Sequence, residues 1–186
     1  MATSLSGGEG TDRLEGGDGA DTLDGGRGTD TLDPGEGTDI VSGGLGNDTA
    51  DYSDREAVLS LSLDGKANDG EADEKDTLKI DIENLIGGDG NDTLTGSSAP
   101  NELVGGLGAD VLSGQKGDDS LAGGRGDDRL SGGTGHDQLE GGSGNDTFAA
   151  RDRVSDDVRG GAGRDKATID RKLDTVAGDV ESVKRR

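Results

Sequence analysis

Aspartate recurs every ninth residue along most of this chain. From Gly7 the sequence reads GGEGTDRLE, GGDGADTLD, GGRGTDTLD, PGEGTDIVS and GGLGNDTAD, ending at Asp51. From Gly87 it reads GGDGNDTLT, GSSAPNELV, GGLGADVLS, GQKGDDSLA, GGRGDDRLS, GGTGHDQLE and GGSGNDTFA, ending at Ala149. The sixth position is Asp in eleven of these twelve units, Asn101 being the exception. Carboxylates at a fixed spacing beside glycine-rich backbone offer oxygen donors only. Such a set suits a hard dication with six to eight ligands and flexible geometry, which describes calcium better than magnesium. With no His or Cys in the pattern, zinc and copper are disfavoured. Acid–base catalysis fits poorly, because identical Asp residues in a repeating column have no means of holding different pKa values. His136, the only histidine, fills a variable turn position with no Ser or Cys partner in a suitable motif.

The elements that must present these carboxylates follow from the rest of the unit. The template is G-G-x-G-x-D-x-U-x, where U is apolar, and the eighth position is Leu in nine of the twelve units, with Val41, Ala50 and Phe148 in the others. The x-U-x triplet is long enough only for a minimal strand. The six residues before it must turn the chain, and glycines at positions one, two and four permit the φ > 0 conformations that turns need. Two units then make one coil of 18 residues, strand–turn–strand–turn. Position eight points inward from both strands, and coils stack at the inter-strand spacing of roughly 4.8 Å. Turns of units n and n+2 sit above one another, so their carboxylates and freed carbonyls meet. Without a cation, that column repels itself.

Composition makes the cation a condition of folding. Leu, Ile, Val and Phe make up about 18% of the 186 residues, below the roughly 20% at which a highly charged chain is expected to be disordered. There are 38 glycines, one Phe, one Tyr and no Trp, and the formal charge is −22. Such a chain cannot bury enough apolar area to offset the entropy of ordering it. Metal binding supplies the missing free energy. Acidity disfavours nucleic acid and anionic membranes as partners. No apolar run approaches the ~20 residues of a membrane span, no signal-peptide pattern occupies Met1–Gly10, and the absence of cysteine removes disulfides and thiol chemistry.

Between the blocks, residues 52–86 read as an insert with longer strands that continues the stack. Leu59, Leu61 and Leu63 alternate with serines, and Leu78, Ile80 and Ile82 with charged residues, a period-two pattern of half-buried strands. The acidic loop Asp64–Asp76 fails as an EF-hand, since Lys66 holds the third position and Asp69 the invariant glycine position. After one extra residue, Ala150, weaker units place Asp156, Asp165 and Asp174 at position six, and Gly178–Arg186 turns basic. Ser4-Leu5-Ser6 reads as the end of a preceding unit, so the expectation is a fragment, a trimmed chain or a module separated from a larger protein. The N-D-T triplets at Asn47, Asn91 and Asn145 and the Arg125-Gly126-Asp127 triplet are turn positions of the repeat before they are glycosylation or adhesion signals.

These motifs resemble the RTX (hemolysin-type) calcium-binding repeat, strongly over 7–51 and 87–149 and weakly over 150–177. The resemblance implies an all-β fold: a parallel β-roll, a right-handed solenoid with two strands per coil and calcium between stacked turns. Its parts would be a first repeat block (1–51), the insert (52–86), a second block (87–149) and a degenerate capping region (150–186). By motif position the implied metal ligands are Asp12, Asp21, Asp30, Asp39, Asp48, Asp92, Asp110, Asp119, Asp128, Asp137, Asp146 and Asp165. With them come the turn glycines Gly8, Gly10, Gly17, Gly19, Gly26, Gly28, Gly35, Gly37, Gly44 and Gly46 in the first block. Those of the second are Gly88, Gly90, Gly106, Gly108, Gly124, Gly126, Gly133, Gly135, Gly142 and Gly144. Pairing turns n and n+2 gives about 5–8 calcium ions. The resemblance further implies a secreted, non-enzymatic module that is disordered without calcium and folds outside the cell. The alternatives are an accessory domain joined to a hydrolase, toxin or epimerase, or a rigid adhesive spacer. The basic end Val180–Arg186 departs from the family's uncleaved C-terminal export signal.

Overall fold

The computed structural model describes residues 1–170 and 173–185. Arg171, Lys172 and Arg186, within the degenerate C-terminal stretch, lie outside the described residues. The chain winds into an all-β solenoid of parallel strands with stacked turns. Within each repeat block the register between coils is 18 residues. Leu5 lies beside Leu23 and Leu23 beside Val41 on one face; Leu14 lies beside Leu32 and Leu32 beside Ala50 on the other. In the second block Leu85, Leu103, Leu121 and Leu139 form one file, and Leu94, Leu112, Leu130 and Phe148 the opposing file. These side chains are buried, except Leu5 at the first coil, which is partly buried, and they constitute most of the core. One face is a single nine-stranded sheet from Arg13–Glu15 to Thr175–Val176, while the other is divided into sheets of five and seven strands.

Strands extend further than the x-U-x triplet. Ser120–Arg125 and Thr22–Gly28 run on through the first turn glycines, and Gly106 pairs beside Gly124, and Gly26 beside Gly44. Identical turns stacked in register can satisfy their own N–H and C=O groups in the coil above and below, as buried backbone requires. The turns are therefore part of the hydrogen-bonded ladder.

Residues 52–86 interrupt this regularity on one face only. Ala50 pairs directly beside Leu85, 35 residues on. The opposite face receives three short strands, Ser60–Ser62, Ala67–Asp69 and Asp76–Leu78. Asp76–Leu78 runs parallel to Ile40–Gly46, Ala67–Asp69 is antiparallel to it, and Ser60–Ser62 joins the second block beside Thr93–Thr95. Leu59, Leu61 and Leu63 are all buried, as period-two alternation requires. The alternation beginning at Leu78 stops there: Ile82 donates its N–H to the Lys79 carbonyl in a turn, leaving Ile80 76% exposed while Ile82 is buried. Past Phe148 the register shifts to 19 residues, with Leu139 beside Val158 and Phe148 beside Ala167, so the one extra residue is absorbed without breaking the files.

Candidate metal sites

Each position-six Asp of the motif lies in the turn that precedes its strand, partly buried at Asp12 and buried from Asp21 onward. From Asp21 onward its Oδ1 accepts the main-chain N–H of the position-six residue one coil earlier. Asp12 N donates to Asp30 Oδ1 at 2.8 Å, Asp30 N to Asp48 at 2.9 Å, and Asp21 N to Asp39 at 2.6 Å. In the second block the same link joins Asp92 to Asp110 (2.7 Å), Asp110 to Asp128 (2.8 Å), Asp128 to Asp146 (2.9 Å) and Asp146 to Asp165 (2.8 Å). On the other edge Asp119 is linked to Asp137 (3.0 Å) and Asp137 to Asp156 (2.9 Å). One carboxylate oxygen thus ties the coils together.

The other oxygen has no partner. The Oδ2 atoms of Asp12, Asp21, Asp30, Asp39, Asp48, Asp110, Asp119, Asp128, Asp137, Asp146, Asp156 and Asp165 are buried without a hydrogen-bond donor. They converge on main-chain carbonyls. A Cβ placed on Gly25 would lie 2.6 Å from Asp30 Oδ2 and 2.7 Å from Gly43 O, so both acceptors border one small space. The same pairing of a carboxylate with a position-one carbonyl recurs at Gly7, where Asp12 Oδ2 and Gly25 O meet at 2.7 and 2.6 Å. Acceptors that face each other with no donor are costly when buried. Burial pushes the carboxyls of Asp110 and Asp156 up to about 7, and those of Asp119 and Asp128 to about 6, against the N–H bonds that pull the other way. Asp39, Asp48, Asp137 and Asp146 are raised by the same cause.

A dication resolves this arrangement. Among the described residues no three Asp, Glu, His or Cys side chains cluster into a site of their own. Any ion must therefore combine one carboxylate per turn with main-chain carbonyls, a hard, all-oxygen donor set that fits calcium. Two orphaned carboxylates flank each of eight inter-turn gaps: 12/30, 30/48, 21/39, 110/128, 128/146, 146/165, 119/137 and 137/156.

Two positions behave differently. Asp92 keeps the Oδ1 bond, from Leu59 N at 2.8 Å, but its Oδ2 accepts Gly88 N at 2.8 Å. Gly88 and Gly90 do not take the positive φ of the other turn glycines at positions two and four, because this turn stacks on the irregular loop 52–57, where Asp89 N donates to Arg55 O at 2.7 Å. Asn101 turns its amide Nδ2 to the Glu83 carbonyl one coil earlier, at 2.7 Å, and its Oδ1 accepts Ser97 N at 2.7 Å. Asp156, outside the twelve Asp positions singled out from the motif, has the same linked and orphaned oxygens as the regular sites; the phase shift at Ala150 was its available signal. Position-one glycines, by contrast, need no positive φ. They are small because the unit's own carboxylate and the next coil's carbonyl close over them.

A second ladder had no signature in the motif. At position five, Asn91 Oδ1 accepts Ala109 N, Asp118 Oδ1 accepts His136 N, and Asp127 Oδ1 accepts Asn145 N, at 2.7, 2.8 and 2.7 Å. The Asp127 carboxylate of the Arg-Gly-Asp triplet is therefore engaged in the stack.

With this geometry the sequence matches the RTX calcium-binding nonapeptide repeat, in four copies over residues 6–41, 35–50, 86–121 and 113–148. The chain belongs to this family. A comparison with individual curated proteins gives no significant match. As a member of the RTX repeat family it is a calcium-binding β-roll module, and its repeats are structural and non-catalytic. No helix among the described residues is long and apolar enough to cross a membrane.

Proposed function

We propose that this RTX module is a calcium-driven folding unit of a secreted protein, disordered at cytosolic calcium and ordered by the millimolar calcium outside. The observation that carries the reading is the set of twelve buried Asp Oδ2 atoms with no donor, seven of which border a main-chain carbonyl of the next coil. Metal-free, this fold concentrates buried carboxylates in a chain whose apolar core is one side chain per strand. Each ion removes a repulsion and satisfies carbonyls at once, so metal affinity becomes folding free energy. The position-six Asp residues and the turn carbonyls hold the ions, with up to eight bound in the gaps named above. Extracellular modules of this ligand type bind with Kd of ~10⁻⁴–10⁻³ M, a range that the exterior fills and the cytosol does not, and linkage then makes folding follow export. In a longer protein such a module would serve as a covalently joined accessory or spacer.

Far-UV circular dichroism from EGTA to ~10 mM CaCl₂, with MgCl₂ as control, tests the reading. A coil spectrum converted cooperatively to β-structure by calcium alone is expected. A β-spectrum already complete in EGTA would sink the metal-driven account.

A further inference from the structure

The orphaned carboxylates are not spread evenly. They run from Asp12 to Asp48 and resume at Asp110, with none in the 61 residues between Asp48 and Asp110. That central stretch is not short of buried acids: Asp69, Asp76 and Asp92 lie within it. Each has protein donors on both oxygens. Asp76 accepts Asp39 N at 2.8 Å and the Tyr52 hydroxyl at 2.9 Å, and Asp69 accepts Ser62 N at 2.6 Å and Leu78 N at 3.3 Å.

Two side chains also stand where cations are needed elsewhere. Arg55, nearly buried, donates Nη2 to the carbonyl of the turn glycine Gly35 and to Glu74 at 3.1 Å, and Nη1 to Glu71 at 3.2 Å. A glycine carbonyl and carboxylates around one positive charge repeat the chemistry of the ion gaps with a guanidinium in place of the metal. Asn101 adds a neutral donor of its own, with Nδ2 bonding the Glu83 carbonyl at 2.7 Å while its Oδ1 accepts Ser97 N at 2.7 Å. The core also holds extra apolar side chains here: Tyr52, Leu59, Leu63 and Ile82 are buried in addition to Leu61 and Leu78, which continue the files beside Leu94 and Val41.

We propose that residues 50–107 form a hub in which protein donors take the place of calcium, and that the two flanking ion columns assemble outward from it. This rests on the reading that the flanks need calcium. Hydrogen–deuterium exchange of the full chain, followed by mass spectrometry across a calcium titration, tests it. Peptides from 50–107 are expected to become protected at lower calcium than those from 7–48 and 110–165. A single common midpoint, or flanks protected first, would overturn the hub and leave calcium-driven folding standing. Protection everywhere in EGTA would overturn both. Arg55→Gln is expected to raise the hub's midpoint to that of the flanks or beyond. Asn101→Asp, a milder change, is expected to raise it for peptides around 94–107. If neither variant moves the hub's midpoint, protein donors are not what replaces the ion.

Discussion

Replacing Asp128 by Asn should change stability in opposite directions with and without calcium. Asp128 is 1% exposed and sits between the gaps 110/128 and 128/146. Its Oδ1 accepts Asp110 N at 2.8 Å, a bond that the amide oxygen keeps. Only Oδ2 changes, from a buried acceptor without a partner to a donor facing a carbonyl. Relieving one unsatisfied buried group is worth about 1–3 kcal/mol, so metal-free Asp128→Asn should be more stable than the parent by that amount. With calcium the balance reverses. An ion of Kd ~10⁻³–10⁻⁴ M contributes roughly 1.4–2.7 kcal/mol at about 10 mM calcium, and two adjacent ions about 3–5 kcal/mol. Subtracting what the amide regains leaves a net loss of about 2 kcal/mol from the middle of both ranges, at saturating calcium.

Thermal unfolding followed by circular dichroism measures both arms, with trimethylamine oxide in the metal-free arm to bring folding into range, since that osmolyte strengthens effective burial. Native mass spectrometry counts the ions, and Asp128→Asn should hold two fewer than the parent. A variant destabilised in both conditions, or one with an unchanged ion count, would refute the division of labour between Oδ1 and Oδ2.

Three further outcomes follow from the turns and their acids. Gln115 has φ 79° at a position where neighbouring units have glycine, and its side chain is exposed; Gln115→Gly should raise stability in calcium by about 1 kcal/mol, seen as a higher melting temperature. Gly8 and Gly26 share a motif position and φ near 100°, but a Cβ at Gly8 meets nothing within 4 Å whereas one at Gly26 is driven into the Gly8 carbonyl oxygen. Gly8→Ala should therefore cost only the left-handed strain of about 1–2 kcal/mol, and Gly26→Ala clearly more; equal melting temperatures for the two would contradict the stacked-turn geometry. Acid should partly replace calcium. The carboxyls of Asp110 and Asp156 at about 7, and Asp119 and Asp128 at about 6, lie above their ordinary value of 3.8, so the folded state takes up protons that the unfolded chain does not. Their penalty to the metal-free fold is full above about pH 7 and disappears as pH falls through 6 toward 4. Circular dichroism in EGTA should gain β-structure between pH 7.5 and 4.5, while the calcium needed for folding rises over the same interval because protons compete for the same oxygens.

Much of this was legible because a nine-residue period leaves few choices. One apolar residue per unit fixes which side faces inward, and an 18-residue coil brings Asp12 over Asp30 and Asp110 over Asp128 without further information. The insert was less legible, because period-two alternation gives the facing of a strand but not where it ends; Leu78 and Ile80 look alike in sequence, and a turn at Lys79 separates them. Position five was not legible at all. Asn91, Asp118 and Asp127 look like solvated turn residues until the turns are stacked, when each side chain meets an N–H one coil away. The exception at Asp92 was hidden for a related reason: its unit, GGDGNDTLT, is regular, and what alters its turn is loop 52–57 beneath it, a neighbour that motif position does not specify.

What holds this molecule together also explains why fold and site cannot be separated along the repeat blocks. In an ordinary domain a core is built first and a metal site is added to its surface. Here the same carboxylate does both tasks, with Oδ1 fixing the distance to the preceding coil and Oδ2 left to face a carbonyl across the gap. Without the neighbouring coil there is no gap, and without a positive charge in the gap the coil is held by one apolar side chain per strand and the backbone ladder. Partial occupancy of a block is therefore a poor compromise, since an empty gap destabilises the coils on both sides, and calcium uptake along each column should be cooperative. The chain escapes this coupling where its own groups supply the donor: the Arg55 guanidinium, the Asn101 amide, the Tyr52 hydroxyl and the main-chain N–H groups at Asp69 and Asp92. All lie in the one stretch between Asp48 and Asp110, which is why the insert and the turns beside it, not the repeats, can hold their shape before the ions arrive.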